Sequence, residues 1–253
     1  MFYLSQAHLE RLQRCPPEFQ ALYLEQLTTP TDPQYLAGQQ WGSQFHRAMQ
    51  QLQLGLSLEQ IAPDGELQKS LQALLTAQPH LLTPANQAAE YRRTLTLGEF
   101  LLTIICDWIT FGPDGLHIYD WKTYRQPQQS DHLKNHWQTK LYLYVMATTS
   151  HYRPEQLAMT YWFIAPGETP QSLTFQYSEP WHQQTHQELT ALLQQLQHDL
   201  GQYRQRGTPL QHPNGKPCPF CPPHRHRETA PSLDFLRGSS LEDFWDGIEA
   251  VQL

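Results

Sequence analysis

The hydrophobic positions of this chain follow a two-residue period in its middle part. Three runs rich in β-branched residues alternate apolar and polar side chains, which predicts strands at about 88–97, 100–110 and 116–122. The sequence Gly112-Pro113-Asp114-Gly115 between the last two runs predicts a turn that folds them into a hairpin. Two later runs, at 157–164 and 171–177, predict further strands.

Apolar residues spaced three and four apart predict helices on either side of these strands. The stretches with this spacing are a short one after Ser5, one that includes Phe19 and Tyr23, and longer ones at 38–54, 66–77 and 181–203. Asp131 is expected to cap a further helix that runs to Ala147. The resulting order of helices and strands predicts an α/β fold, with a mixed β-sheet flanked by α-helices.

The C-terminal residues differ from the rest of the chain in charge. From Glu228 onward they include six acidic residues and one arginine, within a chain whose formal net charge is −7. We therefore divide the chain into a folded domain at 1–228 and an acidic tail at 229–253. The tail also contains the apolar residues Phe244, Trp245 and Ile248, which give it a partly amphipathic pattern.

Composition indicates a cytoplasmic protein. No apolar run approaches the ~20 residues that a membrane-spanning helix needs, and the N-terminus lacks the basic and apolar regions of a signal peptide. The four cysteines, two of them a close pair, suit a reducing compartment better than a disulfide framework. The sequence contains no phosphate-binding P-loop motif, so we expect any helicase to be a separate partner.

The candidate chemistry lies in the predicted hairpin, where Asp107 is followed by Asp120 and Lys122. Side chains alternate faces along a strand, so Asp120 and Lys122 should project together while Tyr119 and Trp121 point the other way. Charged groups at the end of a buried sheet are costly unless they bind a metal or one another. Two carboxylates and a lysine in this setting are typical of the metal site of a phosphodiesterase.

An ordered set of residues resembles the RecB-type branch of the PD-(D/E)XK nuclease superfamily, which includes nuclease modules of recombination helicases and CRISPR-associated exonucleases. The set consists of His46, Glu90, Asp107, Asp120-Trp121-Lys122, Gln138 and Tyr142. The segment Ser5 to Phe19, with Cys15-Pro16, and the late Cys218-Pro219-Phe220-Cys221 also resemble that branch, so the similarity spans 5–227. The resemblance implies a restriction-endonuclease-like mixed sheet flanked by helices.

The resemblance also implies a role for each residue of the set. Asp107 and Asp120, with Glu90 and His46, would bind one or two Mg²⁺ or Mn²⁺ ions, since carboxylate oxygens suit both ions and an imidazole suits Mn²⁺. Lys122 would orient or help to deprotonate the attacking water. Gln138 and Tyr142 would hold the DNA backbone or the geometry of the site. The expected function is a metal-dependent deoxyribonuclease, an exonuclease, in DNA repair, recombination or defence.

One departure from the family pattern keeps a second reading open. The family often has glycine three residues before the first aspartate, where this chain has Ile104. The alternative is a catalytically inactive nuclease fold that binds DNA or a helicase or other repair partner. A third interpretation is a small interaction protein that is stabilised by a bound zinc ion. In that case the tail residues Phe244, Trp245 and Ile248 would bind a partner protein.

Part of the same branch holds a [4Fe–4S] cluster on one N-terminal and three C-terminal cysteines. This chain has Cys15, Cys218 and Cys221, with His224 and His226 near the place of the fourth cysteine. An iron–sulfur cluster with a histidine ligand, zinc on these residues, and a cysteine pair without metal all stay open at this point. Cys106, next to Asp107 in a predicted strand, is expected to belong to the core.

Overall fold

The computed structural model describes residues 1–27, 33–82, 86–125, 131–212, 215–216 and 218–221. The strands are β1 (Phe2–Leu4), β2 (Gln87–Leu97), β3 (Phe100–Phe111), β4 (Leu116–Lys122), β5 (Leu157–Phe163) and β6 (Gln171–Gln176). The helices are α1 (Gln6–Arg14), α2 (Pro16–Phe19), α3 (Pro33–Gln53), α4 (Leu58–Ile61), α5 (Gly65–Ala77), α6 (Asp131–Asn135), α7 (Trp137–Thr149) and α8 (Glu179–Arg206). Short π and 3₁₀ turns occupy Gln20–Leu24, Pro79–Leu82 and Pro154–Gln156.

These elements confirm the predicted fold class, because six strands form one mixed sheet with helices on both sides. β3 is the central strand: β2 runs antiparallel along one edge, while β1 (parallel) and β4 (antiparallel) share the other edge. Beyond β4 the sheet continues with a parallel β5 and an antiparallel β6. The strand β1 and the short helix α4 were not predicted, since three or four residues carry too little periodicity to be recognised.

The sheet separates two hydrophobic cores. On one face, which we call the α7 face, Leu141 and Val145 of α7 and Leu189 of α8 pack with strand residues such as Ile118. On the other, the α3 face, Phe45 and Met49 of α3 and Leu71 of α5 pack with Trp108, Tyr119 and Trp121. The expectation that Tyr119 and Trp121 point to the same side is confirmed: both belong to the α3 face, with ring centroids 6.2 Å apart.

The helix expected from Asp131 to Ala147 is instead two helices. His136, between α6 and α7, has extended backbone angles (φ −64°, ψ 143°) and is the N-cap of α7. The new helix begins there because the Trp137 amide donates a hydrogen bond to Glu10 Oε2 of α1, at 3.1 Å. A carboxylate on the first free amides of a helix stabilises its N-terminus.

None of the helices in the described ranges has both the length and the apolar composition needed to cross a bilayer. The domain boundary at 228 and the acidic tail at 229–253, with its residues Phe244, Trp245 and Ile248, lie outside the described residues.

Candidate active site and a second ligand cluster

The predicted site residues meet where β3 and β4 separate. β1 pairs with β3 only at Phe100–Leu102, and the β3–β4 ladder ends at the pair Trp108–Tyr119. Within the described residues, the stretch 103–107 therefore has no strand partner on this edge of β3. Extending the β3–β4 register by one step sets Asp107 opposite Asp120, so the two predicted carboxylates flank a fork between the strands.

The side chain of Asp107 links β3 to β4 at the point where the two strands separate. Its Oδ2 accepts a hydrogen bond of 2.8 Å from the Trp121 amide of β4. A side-chain oxygen thus takes the place that a β3 carbonyl would hold in a continuous ladder. The other oxygen, Oδ1, lies 3.4 Å from His46 Nδ1 of α3.

His46 is held in an orientation that suits a metal ligand. Its Nε2 lies 3.0 Å from the Trp121 carbonyl oxygen, which only accepts, so Nε2 must carry the hydrogen and donate it. In the neutral imidazole, Nδ1 then presents its lone pair toward the Asp107 carboxylate. Two electron-rich atoms 3.4 Å apart favour a cation at this position, either a proton on Nδ1 or a metal ion. A backbone carbonyl that fixes the second ring nitrogen is the usual support of a metal-bound histidine.

A glycine in α3 allows this helix to pack close to the end of β4, and this close packing places His46 beside Asp107. A Cβ atom at Gly42, one helical turn before His46, would lie 3.0 Å from Thr123 Oγ1. That distance is tighter than ordinary van der Waals contact. The spacing of four residues also places Gly42 and His46 on the same face of the helix.

Glu90 completes a set of three potential ligands. The β2–β3 register pairs Ala89 with Trp108 and Tyr91 with Cys106, which sets Glu90 opposite Asp107. Glu90 has a left-handed backbone with φ of 50°, a conformation that costs a non-glycine residue of order 1–3 kcal/mol. One ligand atom from each of His46, Glu90 and Asp107 lies within 4.8 Å of the others.

In both β2 and β3, the face of the sheet to which alternate side chains point changes near Glu90 and Asp107. Ile104 and Cys106 of β3 lie in the core of the α7 face, but Trp108, two residues on, lies in the core of the α3 face. In β2, Tyr91 packs against the α7 face and Ala89 against the α3 face. Strict alternation would keep residues two apart on one side. The change of face therefore occurs at Glu90 and Asp107, the two residues whose carboxylates lie within 4.8 Å of each other and of a ring nitrogen of His46.

Asp120, Lys122 and Gln138 form a second, buried group. Lys122 Nζ lies 3.2 Å from Asp120 Oδ1, with both side chains 2% exposed. The Gln138 amide of α7 bridges the pair: Nε2 donates to Asp120 Oδ2 at 2.6 Å, and Oε1 accepts from Lys122 Nζ at 3.0 Å. This closed ring of contacts compensates the cost of burying two charges. Asp120 is not a member of the three-ligand set formed by His46, Glu90 and Asp107.

Tyr142, one helical turn after Gln138 on α7, is buried beside the same groups. Burial raises the pKa of Tyr142 well above its usual value, the negative charges of Asp120 and Asp107 raise it further, and Lys122 opposes them. Tyr142 is therefore a neutral phenol. Gln138 and Tyr142 are 6% and 3% exposed, which favours a role in shaping the site over direct contact with DNA.

A second cluster joins the two ends of the described chain. The cysteines expected to lie together, Cys15, Cys218 and Cys221, do so, and the fourth member is His212. His224 and His226, the histidines considered from the sequence, lie outside the described residues. The signal that could have indicated His212 among 13 histidines is its position six residues before Cys218, on the opposite side of the cysteine pair from His224 and His226. Cys106 lies in the core of the α7 face, as expected.

Comparisons with known proteins agree with the fold. The family model for the PD-(D/E)XK nuclease superfamily matches residues 3–225. The crystal structure of a candidate exonuclease from Eubacterium rectale is similar over 97% of this chain and 94% of its own, at 14% identity and a TM-score of 0.53. The structure of SSO0001 covers 76% of this chain and 76% of its own, at 13% identity and a TM-score of 0.38. No curated protein matches the sequence. At 14% identity, the likeness to the Eubacterium rectale structure concerns the fold alone.

Proposed function

Because this chain belongs to the PD-(D/E)XK nuclease superfamily, we propose that it is a deoxyribonuclease that depends on Mg²⁺ or Mn²⁺ and hydrolyses phosphodiester bonds. The observation that carries the proposal is the pair His46 Nδ1 and Asp107 Oδ1, 3.4 Å apart, with the other imidazole nitrogen committed to a backbone carbonyl. Glu90 adds a carboxylate within 4.8 Å of both ligand atoms. One imidazole and two carboxylates form a donor set that suits Mn²⁺ and accepts Mg²⁺.

His46, Glu90 and Asp107 hold the ion in this proposal, and Asp120 faces the same fork from β4. When bound, a divalent cation lowers the pKa of a coordinated water and neutralises the charge that develops on the phosphate. Lys122 orients the attacking water or takes part in its deprotonation. Gln138 fixes the positions of the Lys122 and Asp120 side chains relative to each other, since its side-chain amide forms a hydrogen bond with each of them.

The burial of Lys122 supports this assignment. An ammonium group 2% exposed is far more costly than the same group on a surface, and its partner Asp120 is equally buried. A buried ion pair whose only role is to stabilise the fold can often be replaced by apolar residues without loss of stability. The pair instead flanks Trp121 in sequence, whose amide and carbonyl hold Asp107 and His46, and this position favours a role in catalysis.

The test is hydrolysis of labelled DNA by the purified chain with Mg²⁺, Mn²⁺ or chelator. We expect degradation only with metal, and its loss in Asp107→Asn and Lys122→Ala. Asp114→Asn, in the exposed β3–β4 turn, and Lys69→Ala, on the exposed surface of α5, are matched controls that should keep full activity. Activity that survives both site substitutions would remove the proposed site.

The same hydrolysis experiment also tests whether the enzyme cleaves DNA from its ends or internally. We infer an exonuclease acting in DNA repair, recombination or defence in the cytoplasm, with a helicase or another repair protein as partner. Release of nucleotides from ends, with no cleavage of a closed circle, is the result expected of an exonuclease. Cleavage of the closed circle would replace this inference by an endonuclease.

A second candidate is an inactive nuclease fold that binds DNA or a helicase. The observation that favours it is the position of Asp120, whose Oδ1 lies 3.2 Å from Lys122 Nζ and whose Oδ2 accepts a hydrogen bond from Gln138, together with Ile104 in place of the family glycine. Calorimetry separates the two functions. An active site should bind Mn²⁺ in a manner that Asp107→Asn abolishes, whereas an inactive fold should bind DNA without any such Mn²⁺ dependence.

A further inference from the structure

Four soft ligands from distant parts of the chain converge on one point. Cys15 follows α1, His212 follows α8, and Cys218 and Cys221 belong to a tight turn close to the end of the described residues. Cys15 Sγ lies 3.9 Å from Cys221 Sγ and 3.6 Å from His212 Nε2, and His212 Nε2 lies 3.3 Å from Cys221 Sγ. The ligand atoms of all four residues lie within 4.8 Å of one another.

These separations match the edges of a tetrahedron around a single ion. Zinc binds thiolate sulfur at about 2.3 Å and imidazole nitrogen at about 2.0–2.1 Å in tetrahedral geometry. Those bond lengths place neighbouring sulfurs about 3.8 Å apart, and sulfur and nitrogen about 3.6 Å apart. The observed sulfur–sulfur distance of 3.9 Å and sulfur–nitrogen distances of 3.6 and 3.3 Å lie within a few tenths of an ångström of these values.

Backbone amides support the sulfurs as they do in metal-bound thiolates. The Glu18 amide points at Cys15 Sγ at 3.4 Å, and the Phe220 amide at Cys218 Sγ at 3.4 Å. The Cys218 amide donates to Cys221 Sγ at 3.3 Å. Each sulfur of the cluster thus receives an N–H group, and such contacts from outside the ligand shell stabilise the negative charge of a thiolate.

We propose that Cys15, His212, Cys218 and Cys221 bind one structural Zn²⁺ ion. Three cysteines and one histidine fill all four positions of a tetrahedral ion, which is the composition of a closed, structural site. This differs from the [4Fe–4S] cluster implied by the family resemblance. In such a cluster each protein ligand binds a different iron atom, so the four ligand atoms are spread around a cube. Here they are close enough to share one centre.

The ion fastens the two ends of the described chain together. Cys15 and Cys221 are 206 residues apart in sequence. Two other contacts cross the same junction: the Leu210 amide donates to Gln20 Oε1 at 2.7 Å, and the Arg14 guanidinium lies 4.1 Å from the Phe220 ring centroid. Because the unfolded chain has no preformed site, binding of the ion stabilises the folded state. The proposal does not depend on nuclease activity.

Elemental analysis of the full chain, purified under anaerobic conditions without added metal, tests the proposal. We expect one zinc per chain, little iron and no acid-labile sulfide. Replacement by Co²⁺ should produce the visible absorption of a tetrahedral thiolate complex, and a strong chelator should lower the melting temperature. Stoichiometric iron with labile sulfide, a disulfide between two of the cysteines, or a chain that contains no metal and is insensitive to chelator would each overturn it.

Variants identify His212 as the fourth ligand. His212→Ala should lose zinc and melt at a lower temperature, whereas His212→Cys should keep one zinc per chain because a thiolate can replace the imidazole. His198→Ala, an exposed histidine of α8, is the matched control and should behave as the wild type. Full zinc content in His212→Ala would contradict the assignment. Asp107→Asn should keep its zinc, which separates this site from the proposed active site.

Discussion

His46 and Asp107 face each other across 3.4 Å, from Nδ1 to Oδ1, although they belong to a helix and a strand 61 positions apart in the sequence. Trp121 ties both to the same point of β4, because its amide donates to Asp107 and its carbonyl accepts from His46. The backbone of one residue, Trp121, therefore orients both potential ligands.

The first prediction concerns His46. We expect His46→Ala to weaken Mn²⁺ binding by more than the roughly 10- to 100-fold that loss of a residue outside the ligand shell causes, and to affect activity with Mn²⁺ more than activity with Mg²⁺, since imidazole contributes more to Mn²⁺. Calorimetry and hydrolysis of labelled DNA with each metal measure the two effects. His132→Ala, an exposed histidine of α6, is the control. Equal Mn²⁺ affinity in His46→Ala and wild type would remove His46 from the ligand set.

The second prediction concerns the strained backbone at Glu90, whose φ is 50°. Glycine adopts this conformation freely, whereas alanine does not. Glu90→Gly should therefore be more stable than Glu90→Ala by about 1 kcal/mol, while both variants lose the carboxylate and bind metal less tightly. Urea unfolding monitored by circular dichroism measures the difference.

The same pair of substitutions at Thr94, an exposed residue of β2 that pairs regularly with Thr103, is the control for Glu90. There glycine should be the less stable residue, because it loses more conformational freedom in a regular strand. If alanine were also the better residue at position 90, the left-handed backbone would not be a source of strain.

The strands and the pairing of Asp120 with Lys122 could be predicted because they depend on local patterns. Alternation along β4 is enough to place Asp120 and Lys122 on one face. The fork itself could not be predicted, since it arises from the way β1 and β4 divide one edge of β3. The left-handed backbone of Glu90 has the same origin, as no turn residue marks that position.

Long-range contacts explain the other differences. The break between α6 and α7 at His136 depends on Glu10, which lies 127 residues before Trp137. His212 meets Cys15 across 197 residues, and although it lies six residues before Cys218, the spacing alone does not distinguish it from His224 and His226 on the other side of the cysteine pair. Sequence patterns indicate which side chains are capable of an interaction, but such pairs become visible only in three dimensions.

The third prediction concerns the buried pair Asp120 and Lys122. Removing one partner leaves an uncompensated buried charge, so Lys122→Met should destabilise the folded chain by about 3–5 kcal/mol. Adding Asp120→Asn to that variant should restore most of the loss, because Gln138 still has a hydrogen-bonding partner and no net charge remains. Both variants should be inactive.

Urea unfolding of the wild type, the two single variants and the double variant forms a double-mutant cycle. The control is the exposed pair Glu66 and Lys69, whose Nζ–Oε1 distance is 2.8 Å and whose coupling should be at most about 0.5 kcal/mol. Equal coupling in the two cycles would mean that the Asp120–Lys122 pair is effectively solvated.

The last prediction concerns pH and His8, at the start of α1. His8 Nδ1 accepts a hydrogen bond from the Ser5 amide at 3.2 Å, which requires the ring nitrogen to be unprotonated. Burial, and secondarily the charge of Arg11, lowers the pKa of His8 from 6.5 to about 4. The unfolded chain therefore binds a proton near pH 6.5 that the folded chain does not bind until about pH 4.

The contribution of His8 to stability should accordingly be complete above pH 6.5 and disappear as the pH falls toward about 4, with a total of roughly 3 kcal/mol. His8→Gln preserves the reciprocal cap to Ser5 but does not titrate, so its free energy of unfolding should fall less between pH 7.5 and 4.5 than that of the wild type. His198→Gln, at an exposed position, controls for the general loss of a histidine. Parallel pH profiles for the wild type and His8→Gln would show that His8 has the same pKa in the folded and unfolded chains, which would contradict the prediction.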